Sequence, residues 1–273
     1  GAAAKTVTIT AYGLALSTTP TLTVTGAVAP DVEDDFSTYT DTTDFRSDPL
    51  GLYDGVEETL TATYANVNLD TTLGYDSLTQ SMRVSFLDAT AEGGSGTTGR
   101  CTNSGHSAFR VIDIPTSTTE LWLEIAVRFD ADFTFGGGAW GCSSSPEQKL
   151  FLFGVSGPSL SRFNLECTNG QWVFGYPDNE TASVIGSPDP SDVLFDGNFH
   201  IVRFHLRVGA ANTGRARYWV DGTLYADLDN VTIDRTAITT ASLNHTRNQG
   251  APQDQDMHIG RWRLWVNAND PGW

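Results

Sequence analysis

Apolar and polar residues alternate with period two along much of this chain. Leu121, Leu123, Ile125, Val127 and Phe129 fall on one side of a stretch whose other side carries Trp122, Glu124, Ala126 and Arg128, the pattern of a half-buried strand. The same alternation recurs from His200 to Val208, with Val202, Phe204, Leu206 and Val208 inward and Arg203, His205 and Arg207 outward. Further strands are predicted at 81–86, 108–112, 149–153, 161–167, 171–175, 216–220, 223–228 and 257–266. Between 216–220 and 223–228 the pair Asp221-Gly222 is the strongest hairpin turn in the chain. Almost no segment has a helical period, and no repeat of 20 to 50 residues is present. Many antiparallel strands with one wet face predict an all-β fold, a two-sheet antiparallel jelly-roll sandwich.

Two segments stand apart from this pattern. Residues 4–28 read as two short strands around a Ser-Thr-Thr-Pro turn, a hairpin too small to be stable alone. Residues 29–58 hold ten carboxylates against the single base Arg46, which predicts a linker or a loop-rich lead into the main domain. The expected organisation is an N-terminal β arm over 1–29 and one sandwich domain over 30–273.

Composition narrows the function. With 16 Lys and Arg against 33 Asp and Glu the net charge is −17, which excludes nonspecific attraction to nucleic acid or to anionic lipid. No apolar run reaches the length of a membrane span, so no membrane insertion is expected. Three cysteines form no CxxC pair, and of them Cys101 and Cys142 lie in loop-like sequence and are the candidate disulfide.

The run from Phe195 to Leu228, FDGNFHIVRFHLRVG followed by GRARYWVDGTLYADL, resembles the signature hairpin of the concanavalin A-like lectin and glucanase superfamily. This resemblance implies a jelly roll that binds saccharides on one sheet, in some members with hydrolase or lyase activity and in many without. The Thr- and Val-rich N-terminus looks like the repeat ends of phage structural proteins. Motifs of the enzyme branches are missing: there is no ExDxxE run of laminarinase-like glucanases, and no R-T/S-E-x-R, Q-I/V-H or YFKAG motif of alginate lyases.

Candidate ligand contacts follow from the strand parity. Arg203, His205 and Arg207 share one face, with Arg217 and Trp219 expected beside them on the next strand, a cradle for an anionic sugar. If that face is catalytic, His205 is the base and Tyr218 the acid. Trp122 is a candidate platform for a pyranose ring with Glu124 and Arg128 reaching hydroxyl groups, and Trp140 in a glycine-rich loop is a second platform. Asp34 and Asp35 before the first strand of the sandwich, and Asp254 and Asp256 before the last, supply hard oxygen ligands for a calcium site.

The function expected from sequence is a noncatalytic, glycan-binding surface or virion protein of the decoration or fibre type. It would act outside the cell or on a particle, assembling with copies of itself or other subunits through the N-terminal arm. The alternative is a polysaccharide lyase or glycoside hydrolase acting on an anionic polysaccharide, and the third reading is a scaffold without ligand.

Overall fold

The computed structural model describes residues 28–58, 65–86, 108–133, 147–156, 161–168, 171–175, 185–186, 190–233, 236–243, 253–267 and 271. In chain order the elements are β1 (Val32–Asp34), α1 (Thr42–Ser47), β2 (Tyr53–Glu58), β3 (Ala65–Asp70), β4 (Ser81–Phe86), β5 (Ala108–Asp113), β6 (Glu120–Phe129) and β7 (Glu147–Ser156). They continue with β8 (Ser161–Thr168), β9 (Gln171–Gly175), β10 (Ile185–Gly186), α2 (Ser191–Leu194), β11 (Phe199–Arg207), β12 (Gly209–Val220), β13 (Thr223–Ile233), β14 (Ala237–Leu243) and β15 (Gln255–Val266).

The strands form two antiparallel sheets in a jelly-roll-like sandwich. The front sheet runs β13-β12-β11-β6-β15-β4-β3, with β1 added to the second half of β15, and the back sheet runs β10-β9-β8-β7-β14-β5-β2. The inward residues that the alternation predicts on β6 and β11 are buried. They meet the back sheet through aromatic contacts: Phe153 lies 5.5 Å from Phe204, and Phe174 lies 5.0 Å from Tyr218, ring centre to ring centre. The expected arm over 1–27, the candidate disulfide Cys101–Cys142 and the loop tryptophan Trp140 lie outside the described residues.

The acidic segment is ordered, which corrects the expectation of a linker. Its carboxylates cap their own backbone. Asp41 accepts from the amides of Thr43 and Asp44 and starts α1, and Asp48 accepts from the amides of Leu52 and Tyr53 and starts β2. Asp34 is buried and accepts from Phe36 N, the Tyr39 hydroxyl at 2.9 Å and the Tyr53 hydroxyl at 2.7 Å, while Tyr53 in turn accepts from Trp262 Nε1. Burial raises the Asp34 pKa despite these donors. Phe36, Tyr39 and Phe45 then close the end of the core around Trp262 and Tyr53.

The signature hairpin is held by one histidine. His200 Nδ1 lies 2.6 Å from Asp221 Oδ2, and its Nε2 lies 2.9 Å from Asp196 Oδ1. The DG turn before β11 is thereby tied to the DG turn between β12 and β13. At that second turn Asp221 has φ 48° and Gly222 has φ 78°, the left-handed pair that a two-residue hairpin needs. Burial opposes a charge on His200, but the two aspartates outweigh it and its pKa is raised; Asp196 is held down at about 2, chiefly by His200.

A histidine whose folded pKa is raised adds stability that is fully present below its ordinary value, about 6.5, and is lost as pH climbs through the raised value. His200→Gln should therefore lower the melting temperature most near about pH 6, by an amount equivalent to about 1 kcal/mol given two half-exposed partners. The deficit should shrink toward about pH 9. Melting curves of both proteins across that range check this, and a pH-independent deficit contradicts it.

Candidate functional site

The solvent-side face of the front sheet gathers arginines. The chain has 14 Arg and two Lys, and eight of the arginines (83, 128, 203, 207, 215, 217, 261 and 263) stand on this one face. The strand registers arrange them in rows. One row runs Trp219, Arg203, Glu124, Arg263, Glu33 across β12, β11, β6, β15 and β1. The next, two residues along, runs Arg217, His205, Trp122, Trp265.

Glu124 is the centre of the first row. Its side chain is 6 % exposed, and three guanidinium groups reach it: Arg203 Nε at 2.9 Å, Arg261 Nη2 at 3.2 Å and Arg263 Nη1 at 3.7 Å. Arg263 also meets Glu33 at 3.0 Å. A carboxylate taken out of water needs such partners, and here the cations around it outnumber it.

Arg261 reaches this site because β15 carries a bulge at Gly260, where the register with β6 shifts between Ile259 and Arg261. Gly260 is required there, since a Cβ would stand 2.4 Å from the Cβ of Tyr75. Tyr75, in the connection between β3 and β4, thus lies on the front face, its ring 5.0 Å from the Arg261 guanidinium and 5.8 Å from the Phe199 ring. It keeps part of its surface exposed.

The second row is apolar in character. His205 is 1 % exposed and lies flat on Trp122, ring centres 3.7 Å apart and planes within 6°. Its Nε2 is 2.6 Å from Glu120 Oε1, and its Nδ1 has no hydrogen-bond partner among the described residues. Burial lowers the His205 pKa, with Arg215 and Arg217 acting the same way against Glu120, so the ring is neutral at neutral pH. Neutral imidazole beside a carboxylate carries its proton on Nε2 and leaves the lone pair on Nδ1.

Several expected roles change with these positions. Tyr218 is buried in the core opposite Phe204, on the far side of the sheet from His205, and cannot act as its acid. Trp122 is 5 % exposed beneath its stacking partners and is no open sugar platform; Trp219, half-buried and 6.2 Å from it, is the more accessible ring. Arg217 and Arg215 form forked pairs with Asp227 and Asp229, Arg207 donates to Thr213 O, and Arg128 donates to Gly197 O. The four carboxylates chosen for calcium do not form one site. Asp34 sits opposite Trp262, while Asp256 is six residues earlier on β15, about 20 Å away. Among the described residues no group of three or more His, Cys, Asp or Glu could hold a metal ion.

Arg261, Arg263, Glu120 and Tyr75 were not singled out by the sequence, and Glu33, which the sequence groups with the carboxylates before the first strand, pairs with Arg263. Arg261 and Arg263 do alternate in GRWRL, a signal equal to that of Arg203 and Arg207. No local pattern announces Tyr75.

A scan against protein-family models finds no match, and a search of curated proteins also finds none. Solved structures do match the fold. The endo-β-1,4-glucuronan lyase of the fungus Trichoderma reesei aligns with a TM-score of 0.57 at 13 % identity, over 80 % of this chain and 92 % of that one. The alginate lyase Aly36B aligns at 0.56 and 16 % identity over 89 % of this chain and all of the other. The marine alginate lyase of Aplysia kurodai aligns at 0.56 and 12 % identity over 88 % of this chain and all of its own length. At such identities the likeness establishes the fold alone, a jelly-roll-like sandwich of two antiparallel sheets. The same finding corrects the expectation of a noncatalytic decoration or fibre protein, because these three structures, each aligned over 80 % or more of this chain, are polysaccharide lyases.

Removing the central carboxylate leaves three half-buried guanidinium groups facing one another without the charge they share. Glu124→Gln should destabilise the fold by about 3 kcal/mol. Urea denaturation checks it: the midpoint should fall with the slope unchanged, and a midpoint within error of the parent would mean that the cluster is solvated.

Proposed function

We propose that the protein is a polysaccharide lyase that cleaves a uronate-containing anionic polymer by β-elimination at the Glu124 cluster. The observation that carries this reading is the convergence of Arg203, Arg261 and Arg263 on one buried carboxylate, in a chain whose net charge is −17. Guanidinium forks are suited to bind the carboxylate of a uronate, and neutralising that carboxylate makes the neighbouring C5–H bond more acidic. A base then takes the C5 proton, the electron pair forms the C4–C5 double bond, the C4–O4 bond breaks, and O4 takes a proton.

Tyr75 is the group we assign to proton transfer. Its ring lies beside Arg261 and it retains surface exposure, so a phenol can both accept the C5 proton as phenolate and return it to O4. His205, 1 % exposed, is stacked on Trp122, which also stacks with Trp219, and the group is packing on this face. Hydrolysis is the weaker reading because it needs a free pair of carboxyl groups. On this face Glu124 is held by arginines and Glu120 by His205. A polymeric substrate implies action outside the cell. Similarity to glucuronan and alginate lyases supports the same substrate class for this chain at the level of fold only.

The test is a panel of polyuronates and neutral glycans, followed by the absorbance of new unsaturated ends. Product should form from one or more polyuronates and from no neutral glycan. Tyr75→Phe should lower turnover by about 10²-fold or more with its melting temperature preserved. Retention of polyuronates without products would overturn the lyase reading in favour of a lectin, and products of Tyr75→Phe at the parental rate would remove Tyr75 from the mechanism.

A further inference from the structure

At the other end of the front face one cation lacks a partner among the described residues. The register there runs Arg128, His258, Arg83, Asn68 across β6, β15, β4 and β3. Arg128 donates to Gly197 O at 2.6 Å and lies 3.6 Å from Asp130. His258, 3 % exposed, meets Ser81 Oγ at 3.1 Å and has Asp70 3.9 Å away. Asp70 is itself engaged by the amides of Thr72 and Leu73 and by the Thr72 hydroxyl. Arg83 makes no hydrogen bond or ion pair with any described residue, although its Nε is buried.

A buried guanidinium N–H without an acceptor is costly, and Arg83 carries that cost on a side chain that keeps part of its surface exposed, with no carboxylate among the described residues to neutralise it. Burial, with Arg128 and Arg83 adding to it, pushes the His258 pKa down to about 4, so the histidine between the two arginines brings no charge of its own at neutral pH. Phe199 of β11 pairs with Arg128 in this same row, and its ring meets that of Tyr75, which lies against Arg261 of the Glu124 cluster, so the two rings link the row to the cluster. Four residues of β6 separate Glu124 from Arg128, about 13 Å.

We propose that Arg83, with Arg128 across the buried His258, forms a second anion subsite on this face, which takes a carboxylate further along the same polyuronate chain as the one held at the Glu124 cluster. The subsite rests on the polyuronate reading above. It makes the protein a reader of chain length: short oligomers engage the Glu124 cluster alone, and longer ones bridge both clusters.

Calorimetric titration with oligouronates of increasing length tests this, in the Tyr75→Phe background so that ligand is not consumed. Affinity should rise in a step once the oligomer spans the two clusters. Arg83→Gln should remove that step, weakening long oligomers by about tenfold or more while leaving the shortest unchanged. Because it deletes a buried unsatisfied donor, the same variant should melt no lower than its parent without ligand. Should it fail to fold, Arg83→Lys serves, retaining the charge without the fork and recovering only part of the step. Equal loss at every length, a lowered melting temperature with affinities unchanged, or no effect on long oligomers would each overturn the subsite while leaving the polyuronate reading in force. Binding of no oligouronate at any length would overturn that reading and the subsite with it.

Discussion

A carboxylate buried on the middle strand of an otherwise wet sheet face imposes conditions on every strand around it. Glu124 is tolerable only where cations meet it at short range, and each of its neighbours is supplied by a different piece of the topology. β11 pairs with β6 so that Arg203 falls opposite Glu124, and β15 pairs with the other edge so that Arg263 does. Neither would meet it if either register slipped by one residue, because every side chain would change face. The bulge at Gly260 then adds Arg261 by shifting the phase of β15 in mid-strand. The core depends on the same registers, since Ile125 and Trp262 pair one step from Glu124 and fill the interior.

The fold was legible in the sequence wherever period two persisted. β6 and β11 alternate without interruption, and their inward residues are those that alternation selects. Prediction failed where the local chemistry had a second use. The carboxylates of 29–58 look like charge repulsion in a loop, yet Asp41, Asp44 and Asp48 accept backbone and hydroxyl protons within a few residues, and Asp34 is held by two tyrosines. Local capping of this kind depends on a chain path that composition does not describe.

The site was legible only in half. Parity placed Arg203 and His205 on the outward face of one strand and Trp122 and Glu124 on the polar side of another, and it is the pairing of β11 with β6 that sets the two pairs side by side. It could not reveal which cations would be engaged by neighbours. The cradle expected around Arg207 and Arg217 is occupied by Thr213 O and Asp227, because β13 presents its aspartates in register with the arginines of β12. The cluster with cations in excess lies one strand over, at β15, where a bulge interrupts the very periodicity that sequence analysis uses. Tyr75 enters from a connection distant in sequence, and only the missing Cβ of Gly260 admits it.

The electrostatic arrangement also separates the two ends of the face by purpose. At the β12–β13 edge each arginine has a carboxylate in fork geometry, as in Arg215 with Asp229, and such exposed pairs add little stability and leave little field for a ligand. Around Glu124 the arginines of β11 and β15 instead converge on one carboxylate, with Glu33 beside Arg263, and at β4 an arginine has none among the described residues. A chain with net charge −17 repels polyanions at long range, so capture of one must come from short contacts. On the proposed polyuronate reading, salt would therefore have opposite effects on the two parts of binding. It screens the repulsion that slows encounter, while the half-buried forks that hold carboxylates are weakened less. That asymmetry distinguishes this face from a basic groove, whose affinity for a polyanion falls steeply as salt is added.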